Sequence, residues 1–417
     1  MNSRDIISLK KDIFLYLSKG QLKDAFQSLA KLTQNIHDWK IPETLGELET
    51  NYKFMLHYMF EGVDDPEREN VYRNLLRSLY ELTDDAADEL LKIESSNVFY
   101  EKYRINTLKN NTIRDYEVQL KDIAGSISLV DLLEDGDEKA NRKRELAVRR
   151  ERIASDMFNT IFVSPRTDEI ELVNYLSFVN NIELSLREKC LFLSAINLSL
   201  FHRFDAHKIQ LLMDVATSED TQLRARAIVG LVVAMQMYDT RWSLYPELQS
   251  RLAIISENQG FIKAVLRIII QLIRARETEQ ISKRIREEIL PEMMKFNSLA
   301  GRKLNLDELM GESDFSEKNP EWQKELEESG LGKKLQEYSN LQMEGADVFH
   351  STFSGLKHFP FFSEMSNWFM PFDPSYSEFI SLFPQEKKNG LLQTAIVDSG
   401  HMCNSDKYSF CLSLLQI

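Results

Sequence analysis

Apolar residues recur at intervals of three and four along the N-terminal part of the chain. Between Arg4 and about Leu120 this pattern includes Ile13, Leu17, Leu22, Phe26, Leu29, Leu45, Leu48, Phe54, Met55, Tyr58 and Met59. The spacing is the 3.6-residue period of helices that each bury one stripe. Short breaks at Gly20, 40–42 and 62–66 divide the region into successive helices. Connections this short predict antiparallel neighbours.

Three similar apolar segments recur in the middle of the chain. They begin at Leu186, Leu223 and Phe261, so they lie 37 and 38 residues apart. A period in the upper thirties is typical of two-helix solenoid units. Each segment is predicted to form a helix that is sandwiched between neighbouring repeats. A second, amphipathic helix is predicted to follow each of them. Asp220 precedes the middle copy and is a candidate N-cap.

The middle copy carries a family resemblance. Its sequence Asp220-Thr-Gln-Leu-Arg-Ala-Arg-Ala-Ile-Val-Gly-Leu resembles the first helix of HEAT and armadillo-type repeats, without the proline that kinks many such helices. The segment 20–26 is similar to the first helix of a tetratricopeptide hairpin. The C-terminal part of the chain contains Phe359-Pro-Phe-Phe and Asn367-Trp-Phe-Met-Pro-Phe. With this stretch, the N-terminal hairpins and the HEAT-like middle, the chain as a whole resembles helical-repeat proteins of Bacteroidetes-type bacteria in this α-solenoid superfamily. The resemblance implies a scaffold and supplies no known active site.

Composition supports a helical chain with several packing units. The 417 residues are 43% hydrophobic and include only 15 Gly and 10 Pro, which excludes disorder as a description of the whole chain. The fold class we predict is all-α, a superhelix of antiparallel helix pairs that is HEAT-like in the middle. The predicted regions are N-terminal helical hairpins (1–125), a charged helical connector (126–170), HEAT-like repeats (171–300), an acidic helical linker (301–345) and an aromatic-rich C-terminal segment (346–417). The apolar run at the end of the sequence suggests the hypothesis that a further repeat region follows.

Charge and targeting signals indicate a cytoplasmic protein. The formal net charge of −14 disfavours non-specific binding of the whole chain to nucleic acid or anionic membranes. The N-terminus lacks a secretory signal, and the longest apolar run is far short of the roughly 20 residues that cross a bilayer. Cys190, Cys403 and Cys411 are an odd set that suits a reducing compartment.

Two stretches of basic residues are candidates for binding. The stretch 142–152 fits an exposed helix with internal charge pairs, and phosphate binding is the alternative. A second stretch contains Arg267, Arg274 and Arg284 and precedes the strongly acidic stretch 307–344. Either the two stretches screen one another, or an acidic partner docks on the basic one.

The C-terminal segment is rich in aromatic residues interrupted by prolines. Phe361, Phe362, Trp368 and Phe369 are its most concentrated group. Such rings form either an internal plug, since large apolar patches are seldom left exposed, or a docking surface, since they dominate interface hot spots. Interleaved carboxylates weaken the third interpretation, insertion into a membrane interface.

Motifs for catalysis or metal binding are missing from the sequence. It contains no phosphate-binding loop and no Gly-x-Ser-x-Gly elbow, and His202 and His207 are five residues apart, which does not suit one helical face. Cys190 is predicted to be a core residue. Asp84 and Asp85 are interpreted as residues at a helix start that favour the helix dipole. We therefore predict no catalytic, cofactor-binding or metal-binding residues.

The function predicted from sequence is a protein-interaction scaffold that presents a helical-repeat groove and has no catalysis of its own. The predicted partner-binding residues are Arg267, Arg274, Arg284, Phe361, Phe362, Trp368 and Phe369. The alternatives are a regulatory or catalytic subunit whose active domain lies outside this chain, and nucleic-acid binding through the basic helices.

Overall fold

The computed structural model describes residues 1–34, 36–134, 136–289, 291, 336–337, 339–341, 347, 353–379, 382–383, 391–400 and 402–415. All regular secondary structure in these ranges is helical, which confirms the all-α class. The chain divides into two compact units, unit 1 (Met1–Ile262) and unit 2 (Lys263–Ile417).

Unit 1 is a succession of helices that pack largely against their neighbours in sequence order, as in an α-solenoid. Its helices are α1 (Ser3–Ser18), α2 (Leu22–Thr33), α3 (Lys40–Phe60), α4 (Arg68–Glu94), α5 (Val98–Asn106), α6 (Ile113–Asp131), α7 (Asp137–Phe162), α8 (Glu169–Asn180), α9 (Leu186–His202), α10 (Ala206–Val215), α11 (Thr221–Met237) and α12 (Pro246–Ile255). A 3-10 turn (Asp239–Leu244) connects α11 to α12.

The helix ends follow signals in the sequence. Asn2 and Thr112 form capping boxes at the starts of α1 and α6. The predicted N-cap Asp220 is confirmed, since its carboxylate accepts hydrogen bonds from the amides of Gln222 and Leu223 at 2.8 and 3.0 Å. Gly20 follows α1 with a φ of +69°, a conformation that glycine adopts without steric cost.

The core of unit 1 surrounds α9, where Cys190 is buried as predicted. Helices α9 and α11, which hold the first two predicted copies, pack closely at Gly230. A Cβ atom on Gly230 would overlap the side chain of Asn197, so a larger residue at this crossing would have to displace Asn197. Asn197 in turn donates a hydrogen bond from Nδ2 to the carbonyl of Arg226 at 2.9 Å. The two copies are therefore held in register by a shape match and a polar contact.

The third predicted copy differs from the first two. It forms α13 (Gln259–Arg274), which begins in unit 1 and continues into unit 2. Phe261 is buried, but Leu266, Ile270 and Ile273 are each about half exposed or more. The expectation that this helix is sandwiched between repeats is therefore wrong for that face. Apolar periodicity shows which residues share a face, but it does not show whether another element covers that face.

In unit 2 the described helices that follow α13 are short, and an aromatic cluster forms the core. The helical segments are α14 (Thr278–Arg284) with a π-helical turn (Ile285–Ile289), two 3-10 turns (Pro360–Ser363 and Met365–Trp368), α15 (Leu391–Asp398) and α16 (Asn404–Leu414). The predicted acidic stretch 307–344 lies outside the described residues except for 336–337 and 339–341. Among the described helices, none is both long and apolar enough to cross a membrane.

Candidate functional site

An open groove lies between α3 and α4 in unit 1. Its cavity volume is about 580 Å³. Apolar side chains predominate in its lining, and amide and hydroxyl groups are interspersed among them. The lining residues are Leu48, Asn51, Phe54, Met55, Tyr58, Val63, Asp65, Arg68, Val71, Asn74, Leu75 and Ser78.

The walls of the groove expose hydrocarbon to solvent. Phe54 is 56% exposed and Tyr58 52% exposed on α3, and Val71 is 46% exposed on α4. Leu75 is buried beneath them. A contiguous set of exposed large apolar side chains, rimmed by polar groups, is typical of a protein-binding or ligand-binding surface. The sequence-based expectation that these α3 residues belong to a buried stripe is therefore wrong, although their periodicity is that of a helix.

The second half of α4 carries a row of four carboxylates. Glu81, Asp84, Asp85 and Asp88 are spaced i, i+3, i+4 and i+7, so they share one face of the helix. The prediction that Asp84 and Asp85 lie at a helix start is wrong, because they lie well inside α4 and Asp84 is only 2% exposed. We call these four residues the carboxylate row.

Basic side chains from distant parts of unit 1 meet the carboxylate row. Lys10 of α1 and Arg241 of the 3-10 turn contact the two oxygens of Asp84 at 2.7 and 2.8 Å. Arg166, between α7 and α8, reaches both oxygens of Asp85 at 3.2 Å. Arg203 contacts Asp88 at 3.1 Å. These contacts join α4 to residues between 74 and 157 positions away along the chain.

Aromatic rings surround Arg241, the most buried of these cations. Its guanidinium carbon lies 4.5 Å from the ring centre of Phe14 and 4.7 Å from that of Tyr80. Phe204 and Tyr238 are each 5.4 Å away. Cation–π contacts of this kind gain strength when they are desolvated. The cation is therefore held by four rings and one carboxylate.

The network favours the ionised forms of Asp84 and Asp88. Burial alone raises the pKa of the Asp84 carboxyl, but Arg241 and Lys10 outweigh it and hold that pKa well below its usual range. The pKa of Asp88 is also lowered against burial, by His202 and Arg203 among others. Burial and the Asp88 carboxylate raise the pKa of Tyr100, whose hydroxyl donates to Asp88 at 2.8 Å. Buried carboxylates that neighbouring cations hold in the ionised form suit structural support better than acid–base catalysis.

A second interior polar group is Lys208 of α10, which is 1% exposed. Its ammonium donates to the hydroxyls of Ser164 and Ser199, each at 2.8 Å. Burial lowers the pKa of Lys208 to about 8, although Asp205 nearby opposes that effect. A lysine beside a serine can activate the hydroxyl as a nucleophile. Both serines are buried, however, so a substrate cannot reach them in this conformation.

The predicted basic residues of the third copy lie on α13 and α14. Arg267 is exposed and Arg274 is partly buried. Arg284 pairs with Glu288 at 3.8 Å and with Glu337 at 3.4 Å. Glu337 belongs to the predicted acidic stretch, so this contact favours mutual screening at Arg284. The role of these arginines in partner binding stays a prediction.

The predicted aromatic residues are divided between the core and the surface of unit 2. Phe361 is buried and stacks on Tyr408 with ring centres 4.8 Å apart. Phe362 is also buried, under Trp368. Trp368 is 43% exposed while its indole nitrogen donates to the carbonyl of Phe362 at 2.8 Å. Phe369 is partly buried. Trp368 is therefore the most exposed member of the predicted docking group.

Three of the basic residues in the stretch 142–152 form ion pairs. Arg142 contacts Glu138 at 2.8 Å, and Lys143 contacts Asp131 at 2.6 Å. Arg150 reaches Glu188 on α9 at 2.6 Å, where the glutamate is 1% exposed. Arg150 therefore connects α7 to α9, which the sequence did not indicate. In the described part of the chain, no group of three or more His, Cys, Asp or Glu residues could hold a metal ion.

The comparisons with other proteins leave the function to be argued from this geometry. No family model, no curated protein and no solved structure matches the chain. The resemblance to bacterial helical-repeat scaffolds stays a prediction, and the α3–α4 groove is the candidate site that the described residues support best.

Proposed function

We propose that the chain is a protein-binding scaffold whose α3–α4 groove accepts an amphipathic helix of a partner. The observation that carries this proposal is the row of exposed apolar side chains along the groove, with Phe54 and Tyr58 on one wall and Val71 on the other. A free surface of this kind leaves apolar area in water that a partner would bury.

The dimensions and chemistry of the groove suit a helix. Its lining on α3 extends from Leu48 to Tyr58, which is about 15 Å of helix. A bound helix would place side chains at i, i+3, i+4 and i+7 against this floor, the usual pattern of helix-in-groove recognition. Asn51, Asn74 and Ser78 can orient the partner through hydrogen bonds, and aromatic side chains such as Phe54 and Tyr58 are frequent hot spots.

The interior charge network supports the same role. It joins α4 to α1, to the 3-10 turn and to the segment between α7 and α8, so the α4 wall of the groove is fixed by contacts on its opposite end. A preformed surface loses less conformational entropy on binding than a mobile one. The groove is therefore both open and rigidly supported on the α4 side.

Site-specific photocrosslinking in the native host tests this proposal. A photoreactive phenylalanine analogue replaces Phe54, and the matched control places it at Ile182, which is 95% exposed and lies outside the groove. We expect a defined crosslinked protein from the Phe54 position alone. The purified partner should then bind Phe54→Glu at least about tenfold more weakly than the wild type.

Two results would contradict the proposal. One is a pattern of crosslinks that is the same at Phe54 and at Ile182. The other is an unchanged dissociation constant for Phe54→Glu when circular dichroism shows that the variant keeps its helical content. Binding that is instead lost on Trp368→Ser would move the docking surface to unit 2.

A further inference from the structure

Helix α13 presents an exposed apolar row of its own. Leu266, Ile269, Ile270 and Ile273 are spaced i, i+3, i+4 and i+7, and they are 54%, 39%, 50% and 60% exposed. This is the spacing that a helix uses when it lies in an apolar groove. The row extends over about 11 Å, which fits within the length of the α3–α4 groove.

A basic row runs beside the apolar row. Lys263, Arg267 and Arg274 are spaced by four and seven residues, so they follow one line along α13. The helix contains no carboxylate. It therefore combines an uncovered apolar stripe with positive charge along one flank.

The rim of the groove has the opposite charge. Residues 61–69, which form the connection between α3 and α4 and the first two positions of α4, contain five carboxylates and one arginine. Asp65 and Arg68 from this stretch both line the groove, and the stretch as a whole is acidic. Glu47 on α3 and Glu61 at its C-cap lie seven residues on either side of Phe54, so both share its face. The groove thus presents an apolar floor and an acidic rim.

We propose that the α3–α4 groove binds α13 of a second copy of this chain. The apolar row of α13 would face Phe54, Tyr58 and Val71, and its basic row would face the acidic connection 61–69. This inference rests on the proposed function, because it names the helix that the groove accepts. Such a contact joins two different surfaces, so it is heterologous and can build closed rings or longer assemblies.

Charge favours the groove over two other possible acceptors of α13, which are a second α13 helix and an anionic bilayer. Two α13 helices packed antiparallel would bring their basic rows together, which is unfavourable. An anionic bilayer is a second possible acceptor for a basic amphipathic helix. The groove is favoured because it supplies both the apolar floor and the acidic rim on the same chain, whose net charge of −14 opposes approach to anionic lipid.

Sedimentation velocity of the full chain, with single variants and their mixture, tests the proposal. We expect the 48.6 kDa wild type to associate as its concentration rises, and less so at high salt. Ile270→Glu removes the helix surface and Phe54→Glu removes the groove, so each should weaken association about tenfold or more. An equimolar mixture of the two variants should associate again, because each supplies the surface that the other lacks.

Matched controls keep the test specific. Ile254→Glu alters an exposed apolar residue on α12, and Ile93→Glu alters one at the other end of α4. Both should associate like the wild type. Helical content and unfolding midpoints show whether Ile270→Glu and Phe54→Glu are folded, and Ile270→Ser with Phe54→Ser replaces them if either is not.

The outcomes separate this proposal from the proposed function. A wild type that stays monomeric overturns self-association, as does a mixture of folded variants that fails to associate although the wild type does. If that monomer sediments with phosphatidylserine vesicles through Ile270, the acceptor of α13 is lipid. If the monomer still crosslinks a different protein at Phe54, the groove is a docking site and only its occupant has been assigned wrongly.

Discussion

The two halves of α4 differ in which side chains they bury: the first half exposes apolar side chains, and the second half buries carboxylates. The first half, from Arg68 to Ser78, lines the groove and leaves Val71 exposed. The second half carries the carboxylate row, with Asp84 2% exposed. Unit 1 therefore buries Asp84 and Asp88 in one half of the helix and exposes apolar side chains of the groove wall in the other. If the proposed function holds, stability and binding depend on separate stretches of one helix, and we expect that each can be altered without the other.

Removing the Asp84 carboxylate should have the largest effect on the stability of unit 1. Asp84→Ala leaves Lys10 and Arg241 without their carboxylate, and Arg241 is buried among four rings. An uncompensated buried charge costs about 3–5 kcal/mol. We expect the free energy of unfolding, measured by urea denaturation, to fall by that amount while the α3–α4 groove residues keep their exposure in the remaining folded protein.

The matched control for that change is the surface pair Lys109–Asp156. Their contact distance is 2.8 Å, similar to that at Asp84, but both side chains are more than a third exposed. Asp156→Ala should therefore cost at most about 1 kcal/mol. Equal losses for Asp84→Ala and Asp156→Ala would mean that the network is hydrated, contrary to the contrast between the two halves of α4.

The pH dependence of stability tests whether burial lowers the pKa of Lys208. Its folded pKa of about 8 lies below the ordinary lysine pKa of 10.5, so the unfolded chain binds more protons between those pH values. Stability from this group therefore rises with pH through that window, and the buried ammonium costs about 3 kcal/mol at neutral pH. The unfolding free energy of the wild type relative to Lys208→Met should increase from pH 7 to pH 10.

The difference in unfolding free energy between the wild type and Lys208→Met separates the effect of Lys208 from that of other titrating groups. Burial raises the pKa of Tyr175 and Tyr238, so the wild type and the variant both lose stability when unfolded tyrosines ionise above pH 10. This loss cancels in the comparison with Lys208→Met. A difference that does not change between pH 7 and pH 10 would show that Lys208 keeps an ordinary pKa in the folded state.

Much of the helical architecture could be predicted from local sequence. The periodicity located α9 and α11, the predicted N-cap Asp220 marks the start of α11, and Pro246 is the first residue of α12. These signals act within a few residues, through hydrogen bonds to the first turn and the fixed φ of proline. Local chemistry is therefore enough to place helices and their ends.

The candidate site could not be predicted in the same way, because it depends on distant contacts. The spacing of the carboxylate row also fits a solvated helix face, and only the arrival of Arg241, 157 residues from Asp84, shows that the face is buried. Phe54 and Tyr58 have the same periodicity as buried residues of α2. The local sequence of α3 does not show that, among the described residues, its apolar face is left exposed to solvent.

The smallest expected effect on stability is that of a substitution in the groove, at Phe54. Phe54 is 56% exposed, so Phe54→Ser removes little buried area and should change the free energy of unfolding by no more than about 0.5 kcal/mol. The reference is Phe192→Ala in α9, where a fully buried ring packs on Tyr175 and Phe178 and its loss should cost about 3–5 kcal/mol. Urea denaturation of both variants measures the contrast. A loss at Phe54 close to that at Phe192 would mean that the groove is closed in solution and that its rings belong to the core, which would remove the basis for a docking site there.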